Sequence, residues 1–596
     1  MLTCYRSLHF KMSGSRNVLL AVLRNDLRLH DHPIFSLCSD PSPAKAPFKK
    51  DITHVLPIYI FDQGRIEVGG LPGLKKAGKG EEARTRTGQF WRCGEHRTRY
   101  LTNSVFDVRD SLRSRNSDLS IWAGLPEVVV PRVVEALQKR GDSVEGVWMS
   151  KEINTEEVTT EKRLGQALSK LGVRLVQPWD RTLVNVEDLG FPVSELPDVF
   201  TSFRKRVEAP DMFREPLPAP AKLKPYADVD LEDATGSYSL TAKDDLKDPE
   251  HVINTLLKPL RDNPGPLKAP TSKDRPQAPA FAQNGGETEA LKRAAYYLGR
   301  GKPGEHYKQT RNGMLGPDYS TKFSAALAHG TISPRLLADE AIKMDKETGA
   351  SRGGGGYWIV FELLWRDYFH FVGAKYGSKL FTLLGIEEVL NPKNAGQTAQ
   401  QWLYPDSMDN AKDGFVRWTQ GKTGVPLVDA NMLELAQTGF MSNRGRQNVA
   451  SFLTKDLYYD WRLGAEWFES VLADYDPNSN WGNWQYVAGV GNDPRAGRKF
   501  NVIKQSKDYD ANGDYVKTWL PVLASLPPER VHHPWTGGEP PGDYPHPVVQ
   551  DGSWKPHLQG SGGGARGARG GRGRGRGRGG FRGRGGGDGG GRGRGH

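Results

Sequence analysis

Two short apolar runs near the start of the chain restrict the folds that it can adopt. Asn17–Leu23 and His54–Phe61 are apolar almost throughout, as strands buried on both faces of a sheet are. Strands that alternate with helical patterns predict an α/β domain with a parallel, Rossmann-like sheet, here over residues 16–185. No G-x-G-x-x-G follows the first run, so the ordinary dinucleotide-binding fingerprint is absent. The other segments on which this prediction depends are helical patterns over 98–115, 131–140 and 155–171 and strand-like runs over 144–149 and 173–176.

The character of the sequence changes after this domain. Residues 186–285 are rich in Pro, Asp and Lys, which predicts a connector that runs over the surface with short helices in it. Residues 286–550 show helical patterns and no comparable strand run, so we expect an all-helical second domain. Residues 1–15 form an N-terminal extension. The clearest helical patterns cover 288–297, 333–344, 357–376, 428–437 and 447–461.

The C-terminal segment 551–596 is of low complexity and is predicted to be a disordered Gly/Arg-rich tail. Its last 36 residues contain ten Arg and one Asp, so this segment carries nine of the twelve net positive charges of the chain. Repeated Arg-Gly units stack on bases and pair with phosphates, which favours binding of RNA or single-stranded DNA. A tail that keeps the protein soluble or binds another protein is the alternative interpretation.

Composition also limits the chemistry and the compartment. The three cysteines form no C-x-x-C pair, so we expect neither a disulfide framework nor a metal site. No apolar run approaches the roughly 18 residues that span a bilayer, and an intracellular monomer in the nucleus or cytoplasm is expected. The first 25 residues hold four basic residues and no acid, a composition that also permits a mitochondrial transit peptide.

Three segments carry residues suited to binding and chemistry. In Asp318–Ser324, three hydroxyls precede a helix that runs to His329, an arrangement that can bind a phosphate or can simply cap the helix. The apolar helix 357–376 contains Glu362, Arg366 and Asp367, which indicates either an internal ion pair or the edge of a cavity. In the third segment, amides, carboxylates and tryptophans gather between residues 418 and 486.

Five motifs in this order resemble the photolyase/cryptochrome family over residues 15–550. They are Arg24–Arg28, Asp318–Ser324, Glu362–Arg366, Lys422–Gly424 with Val428–Ala430, and Asn480–Tyr486. Met441–Gln447 and Gly489–Arg495 further resemble the DASH branch of that family.

The resemblance implies that the helical domain binds FAD. Asn480 stands where the family places an amide against flavin N5, and Arg446 would form a salt bridge with Asp474 near the isoalloxazine ring. A methenyltetrahydrofolate antenna is also implied, with Glu152 at the matching position; the alternative for Glu152 is a solvated acid at a helix start. The residues that would hold FAD are Tyr307, Ser320, Thr321, Lys322, Phe323, Ser324, Glu362, Arg366, Asn443, Arg446, Asp474, Asp476 and Asn480.

The resemblance further implies a chain of tryptophans that relays electrons to photoexcited FAD. Trp484 and Trp461 match its first two members. The family's spacing, counted without an insertion, places Met408 at the third and outermost position of this chain. An insertion in the loop would place Trp402 there instead. Several tyrosines could serve instead.

Substrate contact would fall to Trp365, Tyr486 and Gln447. Flat aromatic faces can stack on a flipped pyrimidine dimer. Tyr486 and Gln447 stand where photolyases of duplex DNA commonly have Trp and Met, and this polar exchange favours single-stranded DNA. No His occurs between Gln437 and Lys455, which favours cyclobutane dimers over (6-4) lesions.

The resulting prediction is blue-light-driven repair of cyclobutane pyrimidine dimers by reduced FAD. A blue-light photoreceptor and an RNA-binding regulator that uses the tail are the alternatives.

Overall fold

The computed structural model describes most of the chain between residues 16 and 549. The residues it describes are 16–43, 46–74, 82–229, 231, 234–241, 246, 248–268, 284–350, 353–393, 402–492 and 499–549. The predicted N-terminal extension and the predicted disordered tail lie outside them.

The N-terminal half of the chain forms a six-stranded sheet. The strands are β1 Asn17–Leu23, β2 His54–Asp62, β3 Ser120–Gly124, β4 Ser143–Met149, β5 Leu175–Val176 and β6 Ser237–Ser239. Their order in the sheet is β5-β4-β1-β2-β3-β6, and every pair is parallel except β3 with β6. β1 and β3 are buried along their whole length, which explains why their sequences are apolar rather than alternating.

Two apolar cores lie on opposite faces of this sheet. Successive side chains of a strand point to opposite faces. Accordingly, Leu19 and Ala21 pack in one core, and Val18 and Leu20 pack in the other. The predicted α/β domain with helices on both faces is confirmed. The helices of this half of the chain are Pro33–Leu37, Glu95–Arg113, Pro126–Lys139 and Thr155–Lys170.

The segment 186–285 is more than a surface connector. Its strand β6 adds to the edge of the sheet at β3, with Tyr238 buried there. Its helix Pro249–Asp262 buries Val252 and Leu256 in the same core as β1. A bare strand edge exposes unpaired backbone groups, and β6 covers that edge. The segment's other described helices are Val186–Asp188, Val193–Glu195, Phe200–Val207 and Pro210–Met212.

The rest of the described chain is helical, as the sequence predicts, and holds three further apolar cores. The longest helix, Gly355–Tyr376, begins two residues before the predicted start and ends at the predicted residue. No described helix meets the length and hydropathy needed to cross a membrane. The other helices here are Glu287–Tyr297, Pro303–His306, Tyr307–Thr310, Ser324–His329, Pro334–Glu347, Gly377–Phe381, Glu387–Leu390, Gly414–Thr419, Pro426–Thr438, Asn443–Lys455, Trp461–Val471, Pro477–Ala488, Val502–Tyr509, Asp514–Trp519, Pro521–Leu523 and Pro528–Val531.

Buried ion pairs join the two halves of the molecule. Arg335 of the helical half reaches Asp31 Oδ2 and Asp180 Oδ1, each at 2.8 Å. Arg28 reaches the other oxygen of Asp180 at 2.6 Å. All four side chains are almost completely buried. Because each charge has a partner, the joint can remain dry.

Candidate active site

A cavity opens among the helices of the C-terminal half. A second cavity shares seven lining residues with it, so the two form one space. Most of the residues predicted to hold FAD line this space. They are Tyr307, Ser320, Thr321, Phe323, Ser324, Glu362, Arg366, Asn443, Arg446, Asp474, Asp476 and Asn480.

The hydroxyl segment forms one wall of the cavity. Ser324 begins the helix Ser324–His329, and its Oγ is buried without a hydrogen-bond partner among the described residues. Ser320 and Thr321 line the same space. A buried hydroxyl that lacks a partner in the protein suits a ligand oxygen.

Lys322 belongs to this segment, but its side chain is absent from the lining of both cavities. Its φ of +61° is in the left-handed region, and its Nζ donates to Tyr319 Oη at 2.7 Å. The ammonium lies 3.9 Å from the centres of the Tyr319 and Phe440 rings. Burial lowers the pKa of Lys322 to about 7. The sequence predicts that Lys322 contacts the cofactor, whereas the structure places its side chain behind the cavity wall.

The predicted ion pair between Arg446 and Asp474 is present. Arg446 Nη2 lies 2.6 Å from Asp474 Oδ2, and Arg446 Nε donates to the Met441 carbonyl. Asp474 Oδ1 is buried and has no hydrogen-bond partner among the described residues. One oxygen of the carboxylate thus holds the guanidinium, and the other remains to accept a hydrogen bond from a ligand.

Asp476, two residues after Asp474, pairs with other side chains. Its Oδ2 lies 3.2 Å from Arg181 Nη2 and 3.3 Å from His370 Nε2. Burial opposes ionisation, but His370 and Arg181 hold the pKa of Asp476 well below its usual range. Its Oδ1 accepts from Ser479 N and so caps the helix Pro477–Ala488. Asp476 is therefore an anion that joins the two halves of the chain.

Glu362 and Arg366 do not pair with each other. Glu362 pairs with Arg311, and burial raises the pKa of Glu362. Arg366 donates to the carbonyls of Arg181 at 2.5 Å and Leu327 at 3.2 Å. The helix Gly355–Tyr376 thus presents Glu362 to the cavity and uses Arg366 to fix its wall.

Asn480 and Trp484 lie one turn apart on the helix Pro477–Ala488, and both line the cavity. Asn480 Nδ2 donates to the Ala465 carbonyl at 3.0 Å, which holds the amide in place. The Trp484 ring packs so closely on Gly464 that a Cβ at Gly464 would lie 2.2 Å from it. Gly464 belongs to the helix Trp461–Val471, so that Trp484 rests on the helix that Trp461 begins.

The predicted tryptophans share one aromatic core. Trp461 and Trp484 are buried in it, and Trp402 is half-buried against it. Met408, which falls at the outer position when the sequence spacing is counted without an insertion, packs against the same core. Two further tryptophans extend the cluster: Trp418 lies 6.2 Å from Trp484, and Trp481 lies 5.6 Å from Trp461, between ring centres.

Of the residues predicted to contact substrate, Gln447 lines the cavity, whereas Trp365 and Tyr486 are absent from the lining of both cavities. Gln447 Oε1 accepts from Arg444 Nη1 at 2.9 Å. Trp365 and Tyr486 meet edge to face with ring centres 6.1 Å apart, and Phe200 stacks on Trp365 at 3.7 Å. The structure thus brings Trp365 and Tyr486 together, although 121 positions separate them in the sequence.

Cavities also separate the two halves of the molecule, and Glu156 and Glu157 line them. Glu152, the predicted antenna ligand, lines none of the cavities described above. It is buried, with Oε1 2.8 Å from both Arg181 Nη1 and Asn25 Nδ2. Glu152 is therefore neither solvated nor exposed to the cleft.

Sequence analysis missed several residues of the site. Arg181 joins Glu152 to Asp476, His370 contacts Asp476, and Arg311 pairs with Glu362. Asn312 and Ser479 line the cavity. None of them lies in a distinctive motif. For Arg181, the only signal in the sequence is its position two residues before the apolar pair Leu183 and Val184.

The donors and acceptors around the cavity fit FAD. Hydroxyls and guanidinium groups suit phosphates, a carboxylate with a free oxygen suits a ribose or ring N–H, and the Asn480 amide suits a ring nitrogen. Ser324 Oγ and Asp474 Oδ1 supply the unpaired polar atoms that such a ligand would satisfy. The residues present therefore match the cofactor that the sequence implies.

Family comparisons agree with this geometry. The model described as the FAD binding domain of DNA photolyase matches residues 358–556, and the model described as DNA photolyase matches residues 20–221. A solved structure of a Synechocystis cryptochrome is 36% identical with a TM-score of 0.71, over 92% of this chain and 99% of that one.

Full-length relatives agree as well. Cryptochrome DASH of Gloeobacter violaceus is 42% identical over 90% of this chain and 93% of its own length. Cryptochrome DASH of Xenopus laevis is 40% identical over 91% of both chains. A Neurospora crassa relative, 36% identical over 89% of this chain and 73% of its own length, is named putative cryptochrome DASH, mitochondrial. The chain therefore belongs to the photolyase/cryptochrome family, carries that family's FAD-binding domain, and has cryptochrome DASH proteins as its relatives.

Proposed function

We propose that this protein uses FAD and blue light to repair cyclobutane pyrimidine dimers in single-stranded DNA. The observation that carries the proposal is the cavity where Asn480, the Arg446–Asp474 pair and Glu362 line the same space as Gln447. Cofactor ligands and a predicted substrate contact thus share one cavity. When bound and reduced, FAD supplies on excitation the electron that splits the cyclobutane ring and regains it afterwards.

The residues of the chain position the cofactor and the lesion. Arg446, held by Asp474, offers a fixed positive charge beside the flavin site, and the Asn480 amide offers a neutral hydrogen-bonding group to a ring nitrogen. Arg444 orients Gln447 at the cavity, and the edge-to-face pair of Trp365 and Tyr486 gives flat surfaces for unstacked bases.

Preference for single strands follows from the polarity of this region. A dimer in duplex DNA must be flipped out, and unpairing costs a few kcal/mol, whereas a single strand pays little of this cost. Gln447 and Tyr486 offer hydrogen-bonding groups where a wholly apolar pocket would stabilise a flipped dimer more strongly. We therefore expect the protein to bind a dimer tightly enough for repair in single-stranded DNA and only weakly in duplex DNA.

The test is repair of a defined dimer by the reduced, FAD-loaded protein. Single-stranded, looped and fully paired substrates are compared in light and in darkness. We expect light-dependent repair of the first two and weak repair of the third. No repair of any substrate would refute the proposal and would favour the photoreceptor alternative, for which the aromatic core behind Trp484 also provides a route for photoreduction.

A folate antenna in the cleft between the two halves is part of the same proposal. Glu156 and Glu157 line that cleft, while Glu152 lies behind them on Arg181. The purified protein should show a near-ultraviolet folate band beside the flavin bands. Loss of that band in Glu157→Gln with retention in Glu152→Gln would support a ligand at the cleft surface, and the reverse result would restore the direct role first assigned to Glu152.

A mitochondrial location is proposed on the basic, acid-free N-terminus and on the name of the Neurospora relative. A fluorescent protein joined to the end of a peptide of residues 1–30 should enter mitochondria. A diffuse or nuclear signal would contradict this proposal.

A further inference from the structure

The segment that holds Trp402 runs beside the start of the helix Trp461–Val471. Leu403 N donates to the Tyr458 carbonyl at 2.7 Å, and Asp460 N donates to the Leu403 carbonyl at 3.0 Å. This pairing places Tyr404 next to Asp460, the residue that precedes Trp461.

The carboxylate of Asp460 binds the start of the helix, a phenol and the Arg462 guanidinium, whose Nη2 lies 2.8 Å from Asp460 Oδ2. Oδ1 accepts from Arg462 N at 2.9 Å and caps the helix. Oδ2 accepts a short hydrogen bond from Tyr404 Oη. Arg462 Nη2 donates to the same phenol oxygen at 3.0 Å, and Asp460 is completely buried.

A phenol next to a buried carboxylate is suited to lose an electron. An oxidised phenol becomes a strong acid and must release its proton to a base, and Asp460 already receives the hydrogen bond. Burial and the Asp460 carboxylate raise the pKa of Tyr404, so the phenol keeps its proton at neutral pH until oxidation. The adjacent Arg462 disfavours a positive charge on the ring.

Trp402 lacks such a base. Its Nε1 is buried without a hydrogen-bond partner among the described residues. An oxidised Trp402 would therefore keep a positive charge in a partly apolar environment, which is unfavourable.

We propose that Tyr404, with Asp460 as proton acceptor, is the terminal electron donor of the tryptophan chain. The inference rests on the relay through Trp461 that accompanies the proposed function. One electron moves from Tyr404 to the oxidised tryptophan cation, directly or through Trp402, and restores the neutral tryptophan. The Oη–H bond breaks, and the proton binds Asp460 Oδ2. The products are a neutral tyrosyl radical, a neutral carboxylic acid and a reduced tryptophan.

The position of Tyr404 fits a terminal donor. Its side chain is 48% exposed, so an external reductant can reach the radical. Tyr458, in the neighbouring segment, is similarly exposed at 46%, and no hydrogen bond from its phenol to a carboxylate occurs among the described residues. The chain thus provides a matched control.

The test identifies the radical formed when the oxidised, FAD-loaded protein receives a blue-light pulse. Electron paramagnetic resonance and transient absorption distinguish tyrosyl from tryptophanyl radicals. We expect a tyrosyl radical in the wild type that forms more slowly in D₂O. Tyr404→Phe should lose that signal and leave a shorter-lived tryptophanyl radical, while Tyr458→Phe should behave as the wild type.

A second variant tests the base. Asp460→Asn keeps the helix cap, because Asn is as good an N-cap as Asp, but it cannot accept the proton. Its tyrosyl yield should fall about tenfold or more, as expected for loss of a hydrogen bond to a charged group. A full tyrosyl yield in Tyr404→Phe or in Asp460→Asn would overturn the proposal. Trp461→Phe tests the relay separately: unchanged photoreduction in that variant would refute the relay itself.

Discussion

His329 is a titratable side chain enclosed between the two halves of the molecule. Its Nε2 lies 2.9 Å from the Ala473 carbonyl, its ring lies 5.1 Å from that of Tyr100, and its Nδ1 is buried without a partner among the described residues. Burial lowers its pKa to about 4, with Arg97 and Arg181 adding to the effect. The folded protein therefore holds His329 neutral at pH values where the unfolded chain would protonate it.

This burial predicts a loss of stability in acid. Because the pKa of His329 is lower in the folded state, its contribution is complete above about pH 6.5 and is lost as pH falls toward 4. The free energy of unfolding should fall by at most roughly 3 kcal/mol over this window from His329 alone. Urea denaturation of the wild type and His329→Asn across the window measures the effect. The variant should show a shallower slope, and equal slopes would contradict the prediction.

At the residue scale, the sequence predicts which residues gather but not where each side chain points. Ser320, Ser324, Asp474 and Asn480, which the sequence predicts to hold one cofactor, all line one cavity. Lys322 lies in the same motif, yet its left-handed backbone accompanies a side chain turned toward Tyr319. Backbone conformation of this kind has no signature in a single sequence.

Partners from distant segments were also beyond prediction. Glu362 and Arg366 have the spacing of a helical ion pair, but Arg311 from another helix takes the carboxylate instead. Glu152 is predicted to contact a folate antenna, with a solvated acid at a helix start as the alternative, but it is buried because Arg181 and Asn25 neutralise and bind it. Such choices depend on the packing of elements far apart in the chain.

At the scale of elements, the helix Trp461–Val471 supports Trp484 through a glycine. A Cβ at Gly464 would lie 2.2 Å from the Trp484 ring and 2.7 Å from Leu453. Both neighbours are buried, so neither can move without repacking the core. Ala is ordinarily the better helix former by up to about 1 kcal/mol, but here overpacking should outweigh that gain.

Gly464→Ala is therefore expected to lower the free energy of unfolding by about 1–3 kcal/mol and to displace Trp484. Gly165→Ala in the helix Thr155–Lys170 is the matched control, because its Cβ would meet only Leu175 at 3.8 Å. That control should be neutral or slightly more stable. Thermal unfolding and the fluorescence of the aromatic core measure both variants, and equal stability of the two would show that the core tolerates the methyl group.

The elements themselves were largely predictable. Strands β1, β2, β4 and β5 and the long helix Gly355–Tyr376 follow from apolar runs and helical spacing, whereas no strand is predicted where β3 lies. β6 was missed because three residues are too few to show a period, and its stability comes from pairing with β3 rather than from its own sequence.

At the scale of the whole molecule, the Arg335 network holds the two halves together. Removing one member of a buried ion pair leaves its partners charged and unpaired, at a cost of about 3–5 kcal/mol. Arg335→Met should therefore lower the unfolding temperature strongly and loosen the joint, because it leaves Asp31 and Asp180 short of a partner.

Arg214→Met provides the control for this experiment. Its partners Glu187 and Asp188 are substantially exposed, and exposed pairs contribute at most about 1 kcal/mol. Thermal unfolding with limited proteolysis between the two halves distinguishes the variants. Equal effects of the two substitutions would mean that the buried network does not hold the joint.

The charge of the Arg-Gly tail predicts that the tail contributes to the binding of nucleic acid by the whole chain. Removing residues 561–596 takes away ten arginines and one aspartate and leaves a net charge of +3. The affinity for single strands should fall, and the dependence of log affinity on log salt should become shallower by at most about 7. Fluorescence anisotropy at several salt concentrations measures both quantities, and an unchanged slope would exclude a role of the tail in binding.

The sixth strand has a consequence for the synthesis of the protein. The sheet is open at β3 until Ser237–Ser239 has been made, 63 residues after the end of β5. At ordinary rates of translation this delay lasts roughly 3–12 s. During that time the growing chain presents an unpaired, apolar strand edge, a template on which other nascent chains can pair.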